Sequence, residues 1–166
     1  MKARIFLKKL SAGDFEAFYA LAGNAKVMLM ITGKPQTREE ALKKFHSLLE
    51  NNRWKESLGS FMVFERKNSR LLGFAKLEIK GENPHEAELG YMLLPEFWGM
   101  GYGSEIAAYL MKRAEADRDL TRVYAIIDPA NTASKKILLR LGFVSEGKSI
   151  IDGWPGETFG SKLKPA

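Results

Sequence analysis

Apolar residues fall in short runs, and their period switches between two and roughly three and a half along the chain. Arg4–Lys8 is a short strand. Ser11 caps a helix, with Asp14 in its first turn, and Phe15, Phe18, Leu21 and Ala22 recur at helical spacing. Gly23–Gln36 reads as a loop holding an apolar knot, Val27-Met28-Leu29-Met30-Ile31, followed by Gly33-Lys34-Pro35. Thr37-Arg38-Glu39-Glu40 matches a capping box and opens a second helix. Its buried stripe is Ala41, Leu42, Phe45, Leu48 and Leu49.

Phe61–Glu65 and Leu71–Ile79 are strands joined by the turn Lys67-Asn68-Ser69-Arg70, which predicts a hairpin, and Ala87–Leu94 extends it to a meander. A glycine loop follows, then a helix over Ser104–Ala116 with Ile106, Ala107, Leu110, Met111 and Ala114 on one stripe. Arg122–Ile127 is a strand stopped by Asp128-Pro129-Ala130. Thr132–Leu141 is a helix ended by Gly142 as a left-handed cap. Strands Val144–Ile151 and Thr158–Lys164 flank the loop Asp152-Gly153-Trp154-Pro155-Gly156. The order is βααβββαβαββ. No repeat, linker or low-complexity tract interrupts it, so residues 1–166 are expected to form one α/β domain.

Charge and composition narrow the function. The net charge of +6 and pI near 9.5 favour an anionic partner. A plain basic surface, a phosphorylated cofactor and a nucleic acid or ribosome all satisfy that, but no RNA-binding motif with interleaved aromatics is present. Cysteine is absent, which removes disulfides and any thiol nucleophile and agrees with a reducing cytoplasm. No apolar run reaches the roughly 18–20 residues of a spanning helix, and Met1-Lys2-Ala3-Arg4-Ile5 has no signal-peptide core. His46 and His85 are too few and too far apart for a histidine-based metal site, so no metal is expected.

The densest chemical signal is Glu88–Glu105, E-L-G-Y-M-L-L-P-E-F-W-G-M-G-Y-G-S-E. A strand ends at Pro95, the alternate glycines Gly99, Gly101 and Gly103 follow, and a helix begins. That arrangement gathers free backbone N–H groups at the positive end of a helix dipole, where phosphate oxygens are held. A dinucleotide fingerprint fails because Ser104 and Ile106 stand where its third glycine belongs, and a P-loop fails because no lysine follows Gly103. Trp98-Gly99-Met100-Gly101-Tyr102-Gly103 instead resembles the acetyl-CoA loop of the GNAT N-acetyltransferases, Arg/Gln-x-x-Gly-x-Gly/Ala. Trp98 departs from the general pattern but is usual in the branch of ribosomal-protein N-terminal acetyltransferases. Asn131-Thr132-Ala133-Ser134 followed by Leu141-Gly142-Phe143 is similar to the family's N-x-x-S…L-G-F segment. Val27-Met28…Ile31-Thr32-Gly33…Pro35…Thr37-Arg38-Glu39-Glu40-Ala41 resembles the same branch.

The resemblance implies the GNAT fold, a mixed, mostly antiparallel central sheet flanked by helices. It implies direct transfer of an acetyl group from acetyl-CoA to an amine, with a protein N-terminal α-amine as acceptor. A polyamine, amino acid or aminoglycoside is the alternative acceptor, and a non-catalytic acyl-CoA sensor the alternative role. A homodimer is a candidate assembly. By the same resemblance, backbone groups of Met92, Leu93 and Leu94 would hold the pantetheine arm. N–H groups from Gly99, Met100, Gly101, Tyr102, Gly103 and Ser104 would hold the pyrophosphate, and Asn131 would orient the arm or a water. Glu88 is the candidate base, because it interrupts an apolar strand; read the other way, it is an edge carboxylate paired with a lysine. The family's acid tyrosine is replaced by Leu138, which leaves Ser134 as the candidate acid, or a plain first-turn helix serine, with Tyr91 as a reserve acid or an ordinary core residue. Loops Gly23–Gln36 and Asp152–Thr158, with Met28, Met30 and Trp154, are expected to bound the acceptor pocket unless they are ordinary core and lid packing. His46 is expected to be structural and His85 to have no catalytic part.

Overall fold

In the computed structural model, which describes residues 3–164, the alternating runs pair into one sheet. Met1, Lys2, Pro165 and Ala166 of the expected domain lie outside the described residues. The strands are β1 (Ile5–Lys9), β2 (Gly59–Glu65), β3 (Leu71–Glu78), β4 (Glu86–Leu93), β5 (Arg122–Ile127), β6 (Val144–Ile151) and β7 (Trp154–Lys162). They lie in the order β1-β2-β3-β4-β5-β7-β6. Neighbours are antiparallel except β4 with β5, which run parallel. The fold class is the expected mixed, mostly antiparallel sheet flanked by helices.

The helices are α1 (Phe15–Ala22), α2 (Ala25–Met28), α3 (Arg38–Asn51), α4 (Tyr102–Ala116) and α5 (Thr132–Arg140). Because side chains alternate across a strand, the sheet feeds two cores. Ala75 and Leu77 of β3 and Ala87 and Leu89 of β4 pack with Ile106 and Leu110 of α4 and Leu138 of α5. Met62 and Phe74 pack on the opposite face with Phe18 of α1 and Phe45 and Leu48 of α3. Phe18 lies 5.7 Å from Phe45 and 5.5 Å from Phe74 between ring centroids. Each such buried ring contributes about 1.5–3 kcal/mol through lost water contact.

Four details differ from the sequence reading. The segment 23–36 is not all loop: Asn24 accepts N–H bonds from Lys26 and Val27 and so starts α2. The helix after the glycine loop begins at Tyr102 rather than Ser104, because Gly101 turns the chain at φ +83°. β7 begins at Trp154, since Asp152 and Gly153, both at positive φ, make a tight two-residue hairpin turn. On α3, Leu42 is exposed rather than part of the stripe, and His46 is exposed with its ring against Phe45.

Candidate active site

The site begins where the sheet opens. β4 and β5 pair only at Glu86–Arg122, Ala87–Val123 and Glu88–Tyr124. Beyond Glu88, β4 stays paired with β3 as far as Leu93, while β5 continues on β7 as far as Ile127. The two parallel strands therefore splay, and the β5-side edge of residues 89–93 faces a gap. A cavity of about 650 Å³ runs through it, lined by Glu88–Met92, Ala125–Asp128 and Ser134.

Backbone direction in the gap follows from one bond. Leu94 donates its N–H to the Leu72 carbonyl at 2.9 Å. Alternate N–H groups of a strand point to opposite sides, so Met92 faces β3 while Leu93 and Tyr91 face the gap. Of the expected Met92–Leu94 group, the N–H groups of Met92 and Leu94 are thus turned to β3, and only that of Leu93 faces the gap. The Leu93 carbonyl accepts the Trp98 indole N–H at 2.9 Å. Trp98 ties the glycine loop to the strand end in this way.

Below the gap, the loop ends in a helix N-terminus. Gly99 and Gly101 have φ of +75° and +83°, a region in which a Cβ is strained. Gly103 has a different reason: a Cβ there would stand 3.3 Å from both Ile137 and Tyr91. The first helical bond of α4 is Glu105 N–H to the Gly101 carbonyl, at 3.2 Å. Tyr102, Gly103 and Ser104 therefore present the unspent N–H groups of a helix start. Arg4, just before β1, braces the loop: it donates to the Met100 carbonyl at 3.1 Å and to Glu105 at 2.9 Å, with its guanidinium 4.3 Å from the centre of the Tyr102 ring. These residues fit a pyrophosphate, and the open β4 edge fits an amide-bearing arm, as acetyl-CoA requires.

The two faces of β4 carry different chemistry. Tyr91 points to the α4/α5 side, and its hydroxyl lies 3.3 Å from Ser134 Oγ. Burial raises the Tyr91 phenol, against a smaller opposing effect of that bond, so the hydroxyl stays protonated. Ser134 donates its backbone N–H to Asn131 Oδ1 at 3.2 Å, which makes Asn131 the cap of α5. Leu138 is buried in the core beside them, at 1% exposure.

Glu88 points to the α1/α3 side and is 5% exposed. It accepts from Lys76 Nζ at 2.7 Å and pairs with Lys80 at 3.5 Å. It is therefore paired with lysine, but in the interior rather than at an edge. Burial alone would raise its carboxyl; the Lys76 charge and hydrogen bond, helped by Lys80, outweigh that and hold it below the usual carboxylate range. Directly across the strands stands Glu78, 3.3 Å from the same Lys76. Gly90 makes this possible, since a Cβ there would meet the Lys76 stem at 2.9 Å. Tyr124, opposite Glu88, has its phenol raised by burial and then by the Glu88 charge.

Met28, Met30, Gly33, Lys44 and Trp154 close the cavity on the Glu88 side. The Trp154 indole donates to Asp128 at 3.0 Å. His85 lies elsewhere, with its ring against the Asp119 carbonyl at 2.7 Å. Sequence reasoning passed over Lys44, Lys76 and Lys80. The available signal was the pair Lys76 and Glu78 at alternate positions of an otherwise apolar strand.

Comparison with known proteins identifies the family and the fold. Residues 4–144 match the family model described as an acetyltransferase (GNAT) domain. The uncharacterized N-acetyltransferase YoaA of Bacillus subtilis is 26% identical over 87% of this chain and 81% of its own length. The spermidine N-acetyltransferase of Vibrio cholerae, solved with CoA and spermine, has TM-score 0.80 at 18% identity, covering 98% of this chain and 97% of that one. RimL, the ribosomal L7/L12 alpha-N-protein acetyltransferase solved with CoA, has TM-score 0.80 at 17% identity, covering 98% and 96%. With the open strand, the glycine loop and the family match together, the chain belongs to the GNAT family of acetyl-CoA-dependent N-acetyltransferases.

Proposed function

We propose that this chain acts as a single domain that acetylates an α-amine, in the first place a protein N-terminus, by direct transfer within a ternary complex. The observation that carries this reading is the gap between β4 and β5, which joins the two faces of the sheet through one cavity. The cofactor side holds the glycine loop, Tyr91 and Ser134, and the acceptor side holds Glu88. Bound acetyl-CoA supplies the activated acyl group as a thioester. The N–H groups of Tyr102, Gly103 and Ser104 bind its pyrophosphate, and the free β4 edge aligns its arm with the gap. No cysteine is available to carry the acetyl group, which favours direct transfer.

Amide formation releases a proton from the amine, and Glu88 receives it through water. A carboxylate held low is a weak base, so the acceptor amine must already be partly neutral. An α-amine of pKa about 7.7–8.0 is roughly a tenth neutral at pH 7, whereas a lysine amine near 10.4 is neutral about once in a few thousand. On the other face, the protonated Tyr91 hydroxyl, steadied by Ser134, serves as proton donor to the departing sulfur. This gives the acid role to the Tyr91–Ser134 pair and leaves Asn131 to position Ser134.

The test is release of free CoA from acetyl-CoA across short peptides with free N-termini, polyamines, amino acids and aminoglycosides, with thermal shift against acetyl-CoA in parallel. Acceptor-dependent release led by the peptides is the expected result. A thermal shift with no release on any acceptor would replace the enzyme by an acyl-CoA sensor. No shift at all would remove the cofactor assignment.

A further inference from the structure

Among the charged residues that line the cavity, the cations Lys34, Lys44, Lys76 and Lys80 outnumber the carboxylates Glu88, Asp128 and Asp152. Lys44 of α3, Lys76 of β3 and Lys80 just beyond β3 line it together with Glu88. The carboxylates beside them are both spent: Lys76 lies 3.3 Å from Glu78 and 2.7 Å from Glu88, and Lys80 lies 3.5 Å from Glu88. Lys44 has no ion-pair partner among the described residues. Burial, then the Lys76 and Lys80 charges, lower its ammonium, and the pull of Glu78 and Glu88 does not make up the difference. Three ammonium groups thus face two carboxylates at the mouth of a cavity. Asp128 and Asp152 also line that cavity, but beyond the end of β5 and at the β6–β7 turn, and Asp128 accepts the Trp154 indole N–H.

A cluster one negative charge short, open to the substrate cavity, is completed by an anion brought with the substrate. A polycation would instead bring a further ammonium among three lysines. We propose that the acceptor carries a carboxylate close to its amine, and that Lys44, with Lys80, receives that carboxylate. This rests on the reading of the chain as an amine acetyltransferase. A free acidic amino acid and a peptide with an acidic residue next to its N-terminus share this chemistry. Lys44 keeps part of its side chain open to solvent while lining the cavity, where such a ligand would enter.

The experiment is isothermal titration of the protein, preloaded with CoA, with four probes: alanyl-glutamate, its carboxylate-free counterpart alanyl-glutamine amide, free glutamate and spermidine. Alanyl-glutamate is expected to bind about tenfold tighter than its amide and than spermidine. Lys44→Met should bring the two dipeptides within about twofold by weakening only the acidic one, and Lys44→Arg should keep the preference. Glutamate binding as tightly as alanyl-glutamate supports the proposal with a free amino acid as ligand; weaker glutamate binding supports it with a peptide. The proposal is overturned if the amide or spermidine binds as tightly as alanyl-glutamate, if Lys44→Met leaves the preference intact, or if no probe binds. CoA release with any amine, measured separately, decides the transferase reading on its own, so the two can fail independently.

Discussion

Lys76 is the most informative single side chain to remove. Glu78 and Glu88 stand directly opposite each other on β3 and β4, at 2% and 5% exposure. Like charges so placed have Cβ atoms about 5 Å apart, and at an effective dielectric near 20 their repulsion is about 3 kcal/mol. Lys76→Met keeps the stem over Gly90 but removes the ammonium that bridges them, leaving Lys80 at 3.5 Å to cover only Glu88. Uncovering a buried charge in this way costs about 3–5 kcal/mol, a large share of the roughly 5–15 kcal/mol of a typical domain. At a slope of about 2 kcal/mol/M, the urea midpoint should fall by about 2 M at pH 7. The pH dependence fixes the cause. In the native protein the depressed Glu88 carboxyl adds stability that is present above its unfolded value, about 4.3, and lost as pH falls through the folded one. Without Lys76, burial pushes Glu88 upward, so the variant gains stability relative to wild type as pH falls. The gap should be widest at pH 7 and narrower at pH 5. Urea unfolding followed by circular dichroism measures it. A loss under about 1 kcal/mol, or an equal gap at both pH values, would refute the argument.

Three further outcomes are expected. Glu88→Gln should lower turnover while leaving CoA affinity by titration unchanged; because Glu88 is held low, the wild-type profile of kcat/KM should rise with pH only as the acceptor amine loses its proton. A limb near pH 6–7 that vanishes in Glu88→Gln would contradict this. Gly101→Val places a β-branched side chain at φ +83° and should abolish CoA binding in a protein that still folds; retained affinity would mean the loop does not hold the pyrophosphate. Tyr91→Phe should reduce kcat by about tenfold or more with CoA affinity kept, and Ser134→Ala should cost less, since it only steadies the phenol. Equal losses in the two variants would point to Ser134 as the donor.

Much of this architecture was legible because it is local. β5 and β6 end where apolar alternation meets Asp128-Pro129 and Asp152-Gly153, and the capping box at Thr37 starts α3 as written. The Trp154 end of β7 was missed because Pro155 reads as a strand breaker; it is tolerated because β7 pairs with β5 only from Glu157 onward. Leu42 was misplaced because periodicity marks a stripe without saying how wide the contact is. Gly99 and Gly101 were legible as a loop, but the lysine cluster was not, because it is assembled across β3, β4 and α3. Tyr91 stood in reserve because an apolar-strand tyrosine reads as core; its partner Ser134 comes from α5, and no spacing in the sequence joins them.

Strand β4 acts as a partition wall with a different tenant on each side. Even-numbered residues, Glu88 and Gly90, face the α1/α3 side and odd-numbered ones, Leu89 and Tyr91, the α4/α5 side; on the reading proposed above these are the rooms for acceptor and cofactor. A substitution at one parity can remodel one room and leave the other furnished as before, so acceptor choice can drift while the donor stays constant. Adding or deleting one residue in the strand does the opposite, exchanging both sets at once. On that reading, substitution in this wall would open a route to a new acceptor that a change of length would not.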